Sequence, residues 1–292
     1  MRYFVVDAFT DQPFGGNPAG VVLLEGKEYP DEGLMLNIAA ELRYSETAFV
    51  RQDGEGEFTL RYFTPKAEVE LCGHATIATF VLLHQKGMVT EQCLCHTNAG
   101  DLVIQIGEKV MMQMARPRIE ATLAEPETVY RALGVDGYRP AMPVQKVYAG
   151  LPDIIVPIAD VATLQSLQPD MEAVKEITRQ HEAVSIHAFA FFAGETPAHP
   201  GIHALAGDSY TAHVRDFAPL YGVPEESATG TANAALTYYL QQCDCFGKEA
   251  ECSFIQGEAM GRPSIVATRI QADGNLFVGG TAAIVAEGIL MV

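Results

Sequence analysis

An internal repeat constrains the fold of this 292-residue chain more than any other feature. The segment Arg61–Pro65 (R-Y-F-T-P) recurs as Arg215–Pro219 (R-D-F-A-P). Each copy is followed by an acidic loop and then by a glycine turn that begins a helix, at Cys72–Thr76 in the first half and at Thr229–Asn233 in the second. Such an ordered series predicts two similar halves.

Strand and helix patterns are mixed around the two copies of the repeat. Residues 57–63 alternate apolar and polar side chains, as a half-buried strand does, and residues 45–51 also have strand character. Apolar and small residues at helical spacing follow at 73–85 and again at 230–241. Because strands and helices do not alternate strictly, the sequence indicates an α+β fold.

A break in this pattern at Ala115–Arg118 marks a domain boundary. We predict a first domain at 1–115, completed by a closing strand at 279–292, and a second domain at 116–278. Each domain then holds one glycine turn and the helix that follows it.

The charge excludes several classes of partner. Lys and Arg number 19 against 37 Asp and Glu, for a net charge of −18. Such a chain lacks the basic surface that nucleic acids require, and an anionic membrane would repel it. Residues Arg2–Asp7 resemble a strand and not the charged start of a signal peptide, and no apolar run is long enough to span a bilayer. We therefore expect a cytoplasmic protein.

The six cysteines favour ordinary reduced thiols. Two C-x-C pairs, Cys93 with Cys95 and Cys243 with Cys245, suggest metal ligands at first sight. Structural zinc sites usually space their ligands two to four residues apart, and the eight histidines are scattered. We expect no metal.

The two glycine turns could bind an anion. A helix N-terminus presents backbone N–H groups and partial positive charge, and glycine allows a ligand close to the backbone. Gly73 and Gly230 could instead only permit tight entry into a helix. The repeat favours the first interpretation, in which two helix starts hold a small acid.

Three further residues have alternative interpretations. Glu46, on the predicted strand at 45–51, is either a solvated glutamate or a catalytic carboxylate. His74 either pairs with a carboxylate at the helix start or donates to substrate, since histidine titrates near neutrality. Asn17 is either a turn residue or a hydrogen-bond partner of substrate.

Four segments together carry a family resemblance: Asp7–Val22, Ser45–Thr47, Cys72–Thr76 and Glu226–Ala232. They resemble the phenazine-biosynthesis PhzF-like family, and the resemblance extends over essentially the whole chain. It implies the architecture of diaminopimelate epimerase, with two similar domains, each a mixed sheet wrapped around a central helix, and an active site in the interdomain cleft. A homodimer is the family expectation.

The resemblance also implies a cofactor-independent isomerase that works by general acid/base chemistry on a small carboxylate-bearing metabolite. The characterised family activity is isomerisation of trans-2,3-dihydro-3-hydroxyanthranilate. The implied catalytic residues are Glu46, which takes a proton from one carbon and returns it elsewhere, His74 and Glu226. The expected substrate contacts are Asn17, Gly73, Ala75, Thr76, Gly230 and Thr231.

This chain departs from the family pattern in the second half. Glu226-Ser227 replaces the usual Asp-Pro, and Thr231 replaces a serine. The epimerases of this fold carry a cysteine at each helix start, whereas here Cys72 is matched by Thr229, which disfavours a two-thiol racemase. A noncatalytic small-acid binding protein, an epimerase or racemase of the same fold, and an interaction protein that dimerises through its sheets remain alternatives.

Overall fold

A computed structural model describes residues 1–137, 141–191 and 210–292. The chain divides into two compact units. Unit 1 contains Met1–Gln113 and Gly279–Val292, and unit 2 contains Met114–Val278. Over the described residues the fold is mixed α/β, with six α-helices and eighteen strands. In that part of the chain no helix is both long and apolar enough to cross a membrane.

The regular elements have the following bounds. The strands are β1 (Arg2–Ala8), β2 (Asn17–Leu23), β3 (Thr47–Gly54), β4 (Glu57–Phe63), β5 (Glu68–Val69), β6 (Gln92–Thr97), β7 (Gly100–Gln105), β8 (Val110–Gln113), β9 (Arg118–Thr122), β10 (Gln145–Tyr148), β11 (Pro152–Pro157), β12 (Ser185–Ala190), β13 (Ala212–Ala218), β14 (Val223–Glu226), β15 (Ala250–Gln256), β16 (Ser264–Ile270), β17 (Leu276–Gly280) and β18 (Ala282–Ile289). The helices are α1 (Glu32–Leu42), α2 (Gly73–Gln85), α3 (Pro126–Ala132), α4 (Val161–Ser166), α5 (Met171–Gln180) and α6 (Gly230–Gln242).

Unit 1 is a mixed sheet built around helix α2. Its strand order is β18-β1-β2-β3-β4-β6-β7-β8, with the short β5 paired to the end of β4. The pairs β2·β3 and β4·β6 are parallel and the rest are antiparallel. Helix α2 packs against β1, β2, β3, β8 and β18, and its residues from His74 to Leu83 are all buried. A helix buried on every side needs neighbours all round, and these five strands supply part of them.

Unit 2 repeats this plan around helix α6. Its strand order is β9-β10-β11-β12-β13-β15-β16, with β14 paired to β13. The parallel pairs are β11·β12 and β13·β15, which correspond to β2·β3 and β4·β6 of unit 1. Helix α6 packs against β10, β11, β12 and β16. The sequence repeat is therefore matched by a repeat of strand pairings and of their directions.

The outer helices cover the other face of each sheet. In unit 1, Met35, Ile38 and Ala39 of α1 pack in one cluster with residues of β2, β3 and β4. In unit 2, side chains of α3, α4 and α5 form a larger cluster with β11 and β12. These helices leave α2 and α6 as the central helices of their units.

Candidate active site

Helices α2 and α6 begin differently from three of the other helices. Asp31, Asp160 and Asp170 cap α1, α4 and α5, each accepting a hydrogen bond from a backbone N–H of the first turn. The N-cap residues of α2 and α6, Cys72 and Thr229, make no capping hydrogen bond through their side chains, and the first turns of the two helices carry no acidic residue. Their N-terminal N–H groups and the positive end of the helix dipole therefore favour an anion.

A cluster of polar side chains lies at the start of α2, in unit 1. Nε2 of His74 lies 3.3 Å from Oε2 of Glu46 and 3.3 Å from Oγ of Ser45. On its other side the imidazole contacts Cys72, whose Sγ lies 3.4 Å from Nδ1. The side chain of His74 is 8% exposed and that of Glu46 is 20% exposed. Two of the predicted catalytic residues are therefore in contact.

Backbone contacts hold Glu46 at this place. The predicted strand at 45–51 begins later than expected, at Thr47, so Ser45 and Glu46 lie in the bend that precedes β3. Gly20 pairs with Thr47, and its N–H donates to the carbonyl of Glu46 at 3.0 Å. A Cβ at Gly20 would lie 2.6 Å from Oγ1 of Thr47, so glycine is required for this approach. Because Glu46 lies before the first residue of β3, the strand does not fix the direction of its side chain, which contacts His74 of α2.

Buried hydroxyl groups hold the start of α2. The hydroxyl of Thr76 donates to the carbonyl of Cys72 at 2.7 Å, and the hydroxyl of Tyr62 lies 2.7 Å from Oγ1 of Thr76. The backbone N–H of Thr76 also donates to Cys72. Because both donors of Thr76 serve the helix, the N–H groups of Gly73, His74 and Ala75 are the ones that point beyond its end.

The electrostatics of the cluster favour a neutral imidazole. Burial lowers the pKa of His74 below its ordinary value, and the charge of Glu46 opposes that shift. A neutral imidazole carries one donor and one acceptor nitrogen. The imidazole can therefore donate one hydrogen bond and accept another at neutral pH without adding a positive charge to the site.

The remaining predicted residue of unit 1 is Asn17. It is buried as the first residue of β2, where it pairs with Ala8 of β1. The loop before it turns through Gly16, which has a positive φ and no room for a Cβ beside the carbonyl of Ala8. Asn17 is thus held by the sheet, and its contact with substrate stays a prediction.

In unit 2 the predicted residues surround the start of α6. Glu226 ends β14 and pairs with Asp216 of β13, while Gly230 and Thr231 form the first turn of α6 and are buried. The side-chain amide of Gln256 binds this segment, because its nitrogen donates to the carbonyl of Glu226 at 2.9 Å and its oxygen accepts from the N–H of Thr229 at 3.0 Å. Catalysis by Glu226 and substrate contacts at Gly230 and Thr231 stay predictions.

Sequence reasoning missed a buried acid network behind the start of α6. Oγ of Ser185 lies 2.9 Å from Oδ1 of Asp153 and 2.6 Å from Oδ1 of Asp216. Asp216 also accepts one hydrogen bond through Oδ2, from the hydroxyl of Thr229 at 2.8 Å. Its Oδ1 lies 3.1 Å from Nδ1 of His187. The one available signal was Asp216 itself, which replaces Tyr62 in the second copy of the repeat.

Comparisons with known proteins agree with this architecture. The family model described as phenazine biosynthesis-like protein matches residues 6–288. An uncharacterized isomerase of Bacillus subtilis is 32% identical over 288 residues, which cover 94% of this chain and 92% of the relative. An uncharacterized isomerase of Deinococcus radiodurans is 31% identical over 310 residues, covering 99% and 94%.

Solved structures extend the comparison. The crystal structure of a phenazine biosynthesis protein of the PhzF family from Bacillus anthracis has a TM-score of 0.85 and 25% identity, and the match covers 100% of this chain and 99% of that chain. The family model, the relatives and this structure all match nearly the full length. The chain therefore belongs to the phenazine biosynthesis-like protein family and is an isomerase.

Proposed function

We propose that this isomerase moves a proton between two carbons of a small carboxylate-bearing metabolite, with Glu46 as the acid/base group. The observation that carries the proposal is the contact between Glu46 and His74 at the start of a helix whose N-cap residue makes no capping hydrogen bond through its side chain. One end of the site offers a base, and the other offers N–H groups to an anion.

The chemistry follows from this arrangement. The N–H groups of Gly73, His74 and Ala75 would bind the substrate carboxylate, and the same positive potential would stabilise the negative charge that develops when a proton leaves carbon. Glu46 would take that proton and return it to a second carbon. His74, neutral and 3.3 Å away, would hold the carboxyl group in place or share its proton.

The thiol arrangement argues against two-base racemisation. Cys72 precedes α2, and the equivalent position before α6 is Thr229. A single thiol cannot remove a proton from one face of a carbon and deliver one to the other. We therefore favour an isomerisation over a two-thiol racemase of the same fold. By resemblance to the family, we propose Glu226 as a second acid/base group and Gly230 and Thr231 as substrate contacts.

The test is proton exchange with solvent. Glu46→Gln removes the base but keeps the size of the side chain, and Glu41→Gln makes the same change at an exposed position of α1. Each variant and the parent protein would be incubated in D₂O with a panel of small cyclic, dihydroaromatic and amino carboxylic acids. NMR would follow isomerisation and deuterium at carbon.

We expect the parent protein and Glu41→Gln to exchange and isomerise at least one acid of the panel, and Glu46→Gln to lose both activities by about 10²-fold or more. Circular dichroism should show the same fold in all three. Unchanged exchange in Glu46→Gln would refute the assignment of the base. No turnover of any acid by the parent protein would refute the substrate class.

A further inference from the structure

Two side chains of one strand pair bind successive carbonyl groups at Glu226 and the residue after it. Gln256 ends β15 and Ser264 begins β16, and the two residues lie directly opposite each other in the pair. Nε2 of Gln256 donates to the carbonyl of Glu226 at 2.9 Å. The hydroxyl of Ser264 lies 2.7 Å from the carbonyl oxygen of Ser227 and 3.2 Å from that of Arg262, so it donates to the nearer one. The β15–β16 pair therefore binds the chain where it leaves β14.

The amide of Gln256 also connects this segment to helix α6. Its oxygen accepts from the N–H of Thr229 at 3.0 Å and from Nδ2 of Asn233 at 2.8 Å. Its nitrogen donates a second hydrogen bond, to the hydroxyl of Thr229 at 3.0 Å. The fully buried amide thus uses both of its hydrogens and both lone pairs of its oxygen. It fixes the 226–229 segment relative to the first turn of α6.

The turn that follows β15 lies against the same segment. A Cβ at Gly257 would lie 2.7 Å from the carbonyl oxygen of Ser227, and the positive φ of Gly257 also favours glycine. Ser227 and Ser264 are both buried. Because the hydrogen bond between them is shielded from bulk water, its loss would leave the carbonyl of Ser227 without this donor and without a ready replacement.

We propose that Gln256 and Ser264 are positioning residues, which fix the backbone at Glu226 so that its carboxyl group keeps one direction toward substrate. A glutamate side chain has several rotatable bonds, and a catalytic group must be held within about 0.5 Å of its productive position. Glu226 is the last residue of β14, where it still pairs with Asp216. Beyond it, the two side chains take over from the sheet. The inference rests on the proposed role of Glu226 as a second acid/base group.

Ser264→Ala tests the proposal with the smallest change, since it removes one hydroxyl and leaves Gln256 in place. Thr178→Val is the matched control. The hydroxyl of Thr178 is also buried in unit 2 and donates to a backbone carbonyl, that of Val174 in α5, at 3.0 Å. Both variants, Gln256→Leu and the parent protein would be compared for isomerisation of an acid of the panel that the parent protein turns over.

We expect Ser264→Ala to lower kcat at least about tenfold and to leave KM within about twofold, because a misplaced acid/base group affects the chemical step. Thr178→Val should change neither constant. Gln256→Leu should lower kcat and also raise KM, since its partners include the backbone at the start of α6. A merely structural role of Ser264 would lower stability without separating kcat from KM. An unchanged kcat in Ser264→Ala would overturn the proposal, even if Gln256→Leu does not fold.

A double-mutant cycle shows whether Ser264 acts through Glu226. Glu226→Gln should lower kcat by about 10²-fold, and Ser264→Ala should then add little further loss in that variant. The same tenfold loss in both backgrounds would overturn the proposal, because Ser264 would then act on another group. An undiminished kcat in Glu226→Gln would overturn it as well, because there would be no acid/base group to position.

Hydrogen exchange tests the attachment of the segment without any substrate. Mass spectrometry should show faster backbone exchange at residues 223–229 in Ser264→Ala than in the parent protein or Thr178→Val. Unchanged exchange in Ser264→Ala would overturn the proposal, whether or not a substrate is known.

The positioning role and the proposed function can fail separately. If Glu46→Gln still exchanges protons at carbon, Glu46 is not the base, while the cycle at Glu226 still decides the role of Ser264. If Glu46→Gln loses exchange but Ser264→Ala keeps its kcat, the base assignment stands and the positioning role fails. If the parent protein turns over no acid of the panel, the substrate class fails, and hydrogen exchange at 223–229 alone decides whether Ser264 fixes the segment.

Discussion

Arg215 binds Glu225 through two parallel hydrogen bonds, from Nε to Oε1 and from Nη2 to Oε2, each 2.8 Å long. Arg61 forms the same pair with Glu68 in unit 1, at 2.7 and 2.6 Å. Each guanidinium also lies over the phenylalanine two residues later in its strand. The repeat is therefore preserved in its side-chain contacts as well as in its strand pairings.

The two arginines should contribute unequally to stability. The side chain of Arg215 is 8% exposed and also donates to the carbonyls of Leu164 and Leu167, whereas that of Arg61 is 22% exposed. Arg215→Leu leaves Glu225, whose side chain is 14% exposed, without its partner and should cost about 3 kcal/mol. Arg61→Leu should cost about 1 kcal/mol. Urea unfolding of both variants checks the order, and equal losses would contradict it.

The imidazole of His74 should resist protonation. Burial lowers its pKa below the ordinary value of about 6.5. Glu46 partly opposes this shift, so Glu46→Gln should lower the pKa of His74 further. Long-range ¹⁵N NMR of the ring nitrogens measures both values. A pKa above 6.5 in the parent protein, or a rise in Glu46→Gln, would count against this account.

The same pKa shift links His74 to stability. Because the unfolded chain binds the proton first, the contribution of His74 to stability is present above about pH 6.5 and falls as the pH decreases toward the folded pKa.

The buried acid pair of unit 2 should make stability depend on pH with the opposite sign. Burial, and then the charge of Asp216, raise the pKa of Asp153 well above its ordinary value. The hydroxyl of Ser185 has one proton but contacts both carboxyl groups, which fits a protonated Asp153 that donates to Ser185 while Ser185 donates to Asp216.

Since folded Asp153 keeps a proton that the unfolded chain loses near pH 4, its contribution to stability is complete below that pH and falls as the pH rises toward the folded pKa. Asp153→Asn removes this titration. Its free energy of unfolding, relative to the parent protein, should therefore increase from pH 4 to pH 7 in urea experiments. A difference that is constant with pH would argue against a protonated Asp153.

Gly279 should not tolerate a side chain. A Cβ at this buried position would lie 1.8 Å from the carbonyl oxygen of Val110 and 2.8 Å from Cα of Met111. Gly279→Ala should therefore cost about 1–3 kcal/mol or more, as overpacking does. In the described structure a Cβ at exposed Gly247 meets no atom within 4 Å, and Gly247→Ala should change stability by less than about 0.5 kcal/mol. Thermal unfolding compares the two.

Local patterns predicted much of the secondary structure. The apolar and small residues at 73–85 predicted α2 with its observed bounds. The start of β3 was predicted two residues early, because Ser45 and Glu46 have no property that separates them from a strand. Sheet order depends on contacts between distant segments, and only the repeat pointed to it.

The candidate site was predictable residue by residue but not as a constellation. The S-E-T and C-G-H-A-T motifs pointed to Glu46 and His74, yet no local pattern says that the two side chains touch. Cys72 was weighed only as a thiol and not as a neighbour of Glu46. Asp153 is the second residue of β11, just before its apolar run, and because aspartates are usually exposed, nothing in the sequence indicated its burial.

The pairing of β18 with β1 has a consequence for synthesis on the ribosome. Unit 2 carries the equivalent strand, β9, directly before β10 in the sequence, so this unit can complete its sheet as it emerges. Unit 1 receives β18 only after the whole of unit 2 has been translated. Until then, the edge of β1 that later pairs with β18 is exposed, while its other edge pairs with β2. The nascent first unit can therefore bind chaperones or pair with another chain through this edge.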